Sequence, residues 1–124
     1  MKKLISLLAI TLSVGSTGNA LAHGDKPQHG GIVQSAGDLH FELVNKNPKP
    51  LIYIEDHGKK LSAQGITGIL TVLKGKEKSE YVLQPTQDGA LETDAEAKLT
   101  AGAKAIAAIT FPDKKIVTVR FSVK

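Results

Sequence analysis

The sequence predicts an all-β fold, a single antiparallel β-sandwich behind a flexible amino-terminal arm. Three observations predict it. From Ile32 onward apolar and polar residues alternate in short runs. Turn-forming residues separate those runs at regular spacing. The length remaining behind an apolar leader is enough for one domain and too short for two.

Taken in order, Ile32 to Gln34 reads as a short strand and Ser35-Ala36-Gly37-Asp38 as a turn. Leu39 to Asn45 alternates cleanly, with Leu39, Phe41 and Leu43 on one face. Asn47-Pro48-Lys49-Pro50 is a loop, Leu51 to His57 the next strand, and Gly58-Lys59-Lys60 another turn. Further strands are expected at Thr67–Leu73, Glu80–Gln84 and Leu91–Thr93. The charged run Lys74-Gly75-Lys76-Glu77-Lys78 between two of them reads as a solvated hairpin tip. Asp94 to Ala108 has a helix-favouring Ala, Glu, Lys and Leu content, but Gly102 interrupts it. Residues 94–101 are therefore expected as loop or a short helical turn, and Ala103–Phe111 as strand. Pro112-Asp113-Lys114-Lys115 suits a hairpin turn into Ile116–Val123, where Val117, Val119, Phe121 and Val123 alternate with Thr118, Arg120 and Ser122. About seven to eight short strands in one small domain fit an immunoglobulin-like sandwich.

Residues 1–22 have the three parts of a secretory signal: Lys2-Lys3, an apolar stretch from Leu4 to Val14, and Ala20-Leu21-Ala22 before the expected cut. The apolar stretch is shorter than the ~20 residues that span a bilayer. A retained anchor is the alternative. The short basic start suggests a bacterial periplasmic destination, with no stable membrane insertion after processing. The division that follows is 1–22 leader, 23–31 arm and 32–124 sandwich.

Two of the chain's four net positive charges are Lys2 and Lys3, so the basic balance belongs partly to the leader. The other lysines are scattered along the sequence and aromatics are few, which argues against nucleic-acid binding. Cysteine is absent and the single Met is Met1. Neither thiolate nor thioether is then available to a metal ion in the processed chain, which disfavours Cu(I). No nucleophile elbow and no Gly-x-x-x-x-Gly-Lys-Ser/Thr loop occurs, so no catalytic residue is assigned and an enzyme is not expected.

The four histidines, His23, His29, His40 and His57, all lie in the first half. Cleavage after Ala22 would make His23 the amino terminus, joining a free amine to an imidazole on one residue. That pair can chelate Cu(II) without any folding. Extended chain from His23 to His29 spans at most ~20 Å, so the arm can fold back, and Gly30-Gly31 permits close approach to the sheet. The alternative is an uninvolved polar leader.

Pairing 39–45 with 51–57 across a four-residue loop puts His40 opposite His57, Glu42 opposite Glu55, Phe41 opposite Asp56 and Val44 opposite Tyr53. The outer face of the hairpin would then gather His40, His57, Glu42 and Glu55. Carboxylates there would serve as ligands or as partners that orient the imidazoles. An ordinary solvated sheet face is the alternative. The candidate metal ligands are His23, His29, His40, His57, Glu42 and Glu55, with Cu(II) first and Zn(II) second.

The runs His29-Gly30-Gly31-Ile32-Val33, His40-Phe41-Glu42-Leu43-Val44 and Tyr53-Ile54-Glu55-Asp56-His57-Gly58-Lys59 resemble small bacterial periplasmic proteins associated with heavy-metal resistance. They are also similar to the β-rich segments near the start of some metal-efflux adaptor proteins. The likeness is close over residues 23–60 and extends to the remainder only as a general strand pattern. It implies metal binding or delivery outside the cytoplasm, with His29, His40 and His57 at the matching positions and an efflux or envelope complex as partner. Periplasmic copper carriers with a mature terminal His and a compact β-sandwich are a more distant likeness. Those carry an Asp-x-His motif late in the chain, whereas Asp38-Leu39-His40 lies early and no histidine follows His57. The expected function is a metal carrier, buffer or delivery factor. The rival is an envelope protein-interaction module that binds no metal.

Overall fold

A computed structural model describes residues 26–124. Nine strands follow one another with no helix between them among these residues. They are β1 (Ile32–Ala36), β2 (Leu39–Val44), β3 (Leu51–Asp56), β4 (Lys59–Leu61), β5 (Thr67–Lys74), β6 (Glu77–Pro85), β7 (Leu91–Thr93), β8 (Lys104–Thr110) and β9 (Ile116–Ser122). All pairings are antiparallel, in the order β1-β2-β3-β7-β6-β5-β8-β9, with β4 added beside the end of β3. The sheet curls until β1 lies next to β9. No ladder joins those two strands among the described residues. The expected all-β antiparallel architecture is met in this nearly closed, sandwich-like form.

The core follows from alternation. Phe41 and Leu43 of β2 sit directly across from Ile54 and Ile52 of β3, and all four are buried. On the far wall Ala105 pairs with Phe121 and with Val72, and Ala107 pairs with Val119 and with Leu70. Small alanines on the central strand leave volume for the large side chains on either side, the interdigitation that close packing requires. Each fully buried Leu, Ile or Phe contributes about 1.5–3 kcal/mol relative to exposure.

This packing also resolves the helix-favouring segment. Ala103, Ala105, Ala107 and Ile109 alternate inward, and β8 is flanked by ladders on both sides, so tertiary pairing overrides the propensity of its alanines. Residues 94–101 contain no helical turn.

The structure corrects the register of the β2–β3 hairpin. Val44 pairs with Leu51, so six residues form the loop, and every partner moves by two. His40 faces Glu55 and Glu42 faces Tyr53, in place of His57 and Glu55. The observed register sets Phe41 against Ile54, whereas the shorter loop would have set it against Asp56 and split the apolar pair. The face that each side chain occupies is unchanged. A second difference is β4: Lys59–Leu61 pairs with Ile54–Asp56, so the tight turn is His57-Gly58 and the lysines after it belong to a strand.

Candidate functional site

The outward side of β1–β4 carries two rows of residues. Val33, Glu42 and Tyr53 form one; Ser35, His40, Glu55 and Lys60 form the other. An outward carboxylate should be solvated, yet Glu42 is only 6% exposed. The arm covers it. Glu42 Oε2 accepts the backbone N–H of His29 and of Gly31, both at 2.8 Å. Its Oε1 accepts the N–H of Gln28 at 3.0 Å and lies 2.9 Å from His29 Nδ1. One carboxylate thereby receives three amides and an imidazole, using about all of its four lone-pair directions.

The local sequence permits this approach. Gly30 takes a positive φ of 75°, which glycine adopts without steric cost. A Cβ on Gly31 would stand 2.3 Å from the carbonyl oxygen of Leu43. The expectation that these glycines allow close contact with the sheet is met. The His29 ring then lies flat on Tyr53, with centroids 3.7 Å apart and planes 5° from parallel. Lys60 Nζ is 5.9 Å from the same Tyr53 ring and donates to the carbonyl oxygen of Asp88.

Burial of Glu42 pushes its pKa up, but the His29 ring and the amides of Gly31, His29 and Gln28 together outweigh burial. The net effect holds the carboxyl below its ordinary value, so Glu42 is an anion at neutral pH. An ionised carboxylate only accepts, so Nδ1 of His29 carries the proton. In the neutral ring Nε2 is then the nitrogen with the free lone pair. His40 Nδ1 is 2.8 Å from Ser35 Oγ.

His29, His40, Glu42 and Glu55 line one cleft of about 280 Å³, together with Tyr53, Lys26 and Lys60. Four of the six residues proposed from sequence therefore share a surface. His57 does not line it. It occupies the turn after β3 with φ 53°, where Nδ1 is 2.6 Å from Asp56 Oδ1 and Nε2 is 3.2 Å from Asp38 Oδ2. His23 and the leader of residues 1–22 lie outside the described residues. Among the described residues no three His, Asp or Glu side chains are arranged to hold one metal ion.

Sequence reasoning passed over Tyr53, the backbone amides of Gln28 and Gly31, and Lys26 and Lys60. The amides had no signal in side-chain pattern. Tyr53 did have one, as an aromatic at an outward position of an otherwise alternating strand.

The fold and site together define a small antiparallel β-protein whose arm is fastened across its own sheet. Comparison of the chain with protein-family models, with curated proteins and with solved structures gives no match.

Proposed function

We propose that this chain is a non-enzymatic periplasmic binder of a divalent metal ion, a carrier or buffer with Cu(II) first and Zn(II) second. One observation carries the reading: the carboxylate of Glu42 fixes the Nδ1–H tautomer of His29 in a cleft that His40 also lines. A carboxylate behind an imidazole orients the ring and raises the basicity of its other nitrogen, as in carboxylate–histidine–zinc arrangements. On this reading His29 and His40 are ligands, Glu42 positions His29, and Glu55 stands beside His40 as ligand or partner. His23, six residues before His29, supplies its ring and, after cleavage, its amine. The domain's own residues then offer an incomplete set, and the arm completes it. The absence of sulfur ligands after Met1 favours borderline divalent ions over Cu(I).

Calorimetric titration of the exported protein with Cu(II) and with Zn(II) tests the proposal. A stoichiometric site tighter than about micromolar, weakened at least about ten-fold by His29→Ala and by His40→Ala, is expected. His57→Ala should leave it unchanged. Weak uptake indifferent to all three substitutions favours an envelope interaction module that binds no metal. Mass spectrometry of the exported chain must place His23 at its amino terminus for the amine to take part.

A further inference from the structure

The lysines that look scattered in sequence are sorted by the topology. Because neighbouring strands are antiparallel, the loop 45–50, the β5–β6 tip, the segment 94–103 and the residues after β9 all fall at one end of the sheet. Hydrogen bonds tie these pieces into one surface. Asn45 Nδ2 donates to the Leu99 carbonyl at 2.8 Å, Ala97 N–H to the Pro48 carbonyl at 3.1 Å, and Gly102 N–H to the Val123 carbonyl at 2.9 Å. Leu73, just before the β5–β6 tip, pairs with Lys104.

That end carries Lys46, Lys49, Lys98, Lys104 and Lys124, and the hairpin tip adds Lys74 and Lys76. Glu77, Glu80, Asp94 and Glu96 offset part of the charge. The opposite end holds four of the five described aspartates, Asp38, Asp56, Asp88 and Asp113, each in or beside a turn, and Lys59, Lys60, Lys114 and Lys115 balance them there. The fifth, Asp94, accepts the N–H of Val82. The excess positive charge of the described residues is thus gathered at one end of the strands, while the other end is close to balanced.

We propose that the lysine end docks reversibly on an anionic phospholipid surface. Every cation of that end is a lysine. The single Arg of the chain, Arg120, lies on the outward side of β9. Lysine is a hydrated point charge suited to diffuse attraction, whereas stereospecific phosphate recognition favours the guanidinium fork. The lysines lie on loops and at strand ends and carry no aromatic stacking platform among them, so a broad charged surface fits them better than a nucleic-acid strand. No large apolar side chain is exposed at that end; Ile69, Val82 and Ile116 lie on the outward side of β5, β6 and β9. Attachment is therefore electrostatic, without insertion. The opposite end, where lysines balance the aspartates, is not attracted, so the protein stands on the surface with its cleft facing sideways into solution.

Co-sedimentation of the exported protein with phosphatidylcholine vesicles, with and without phosphatidylglycerol, tests this. Binding should require phosphatidylglycerol and vanish at about 0.5 M salt, where screening shortens the Debye length to a few ångström. Each lysine near the surface accounts for on the order of five-fold in partitioning. The variant K74Q/K76Q/K98Q/K104Q should fall to the level of neutral vesicles, while K59Q/K114Q/K115Q at the other end should keep binding. Circular dichroism checks that both are folded. Equal binding to the two vesicle types, equal loss in both variants, or tighter retention on duplex DNA than on the charged vesicles overturns the proposal.

Discussion

Substitution of Glu42 by Gln should free the arm while leaving the sheet intact. The side chain keeps its shape but exchanges one accepting oxygen for an NH2 group. Oxygen Oε2 receives His29 N–H and Gly31 N–H, and Oε1 receives Gln28 N–H and the His29 ring. With the NH2 in place of Oε2, two backbone donors meet a donor. Turned the other way, His29 can shift its proton to Nε2 and accept at Nδ1, but the Gln28 N–H still meets a donor. Either way the remaining bonds lose their charge assistance. Leaving a buried donor unpaired costs about 1–3 kcal/mol, and these are partly buried, so about 2–4 kcal/mol is lost in all. The arm escapes that penalty by lifting into water, which caps the effect on global unfolding. Opening of the arm then becomes on the order of 30- to 1000-fold more populated. Hydrogen exchange followed by mass spectrometry reads this directly. The peptide covering 26–31 should exchange faster by that factor, while one covering β8 should not change. Unaltered exchange of the arm would refute the reasoning, and so would equal acceleration of β8, which would mean that Glu42 holds up the whole domain. Metal affinity in the same variant should fall about 10- to 100-fold, through the loss of the group that orients His29.

Three further outcomes follow from the geometry. Because the folded pKa of Glu42 lies below its unfolded value, its contribution is complete above about pH 4.3 and is lost as pH falls through the lower folded value; arm protection in wild type should decline there, and E42Q should lack that decline. Gly31→Ala forces a methyl group against the Leu43 carbonyl, at 2.3 Å before any relaxation, and should destabilise by about 1–3 kcal/mol, seen as a lowered thermal midpoint. His57→Gly relieves a positive φ at an exposed turn and should change stability by less than about 1 kcal/mol, measured by denaturant titration, with metal uptake unaffected.

Most strands were legible because alternation is written in side chains. Val117 to Val123 and Leu39 to Leu43 announce their faces without help from the rest of the chain. What stayed hidden depended on partners distant in sequence. The alanines of β8 favour helix until β5 and β9 pair with them on both sides. Lys59 and Lys60 look like turn residues until β3 offers them a free edge. The hairpin register was off by two because loop length is weakly encoded, whereas the core demands that Phe41 meet Ile54. At the site, the outer-face placement of His40, Glu42 and Glu55 was readable from the period of two. The covering of Glu42 was not, since its four partners are three backbone N–H groups and one ring of a segment with no periodic signal. Gly30-Gly31 was the one hint of that contact. The gathering of lysines at one end was invisible for a similar reason: only the order of strands brings residues 46, 74, 98 and 124 to one side.

The meeting of β1 with β9 gives the domain a fault line. Elsewhere around the wall, separating neighbours means breaking a ladder of backbone bonds; here it means only parting side chains. The strand that carries the arm is one lip of this seam, and the last strand is the other. Tension on the arm transmits through Gly31 into β1 and peels it from β2 one rung at a time, with no second ladder to resist from the β9 side. A load of that kind would tear the domain along its least stitched line, leaving β5, β6 and β8 bonded on both flanks until the end.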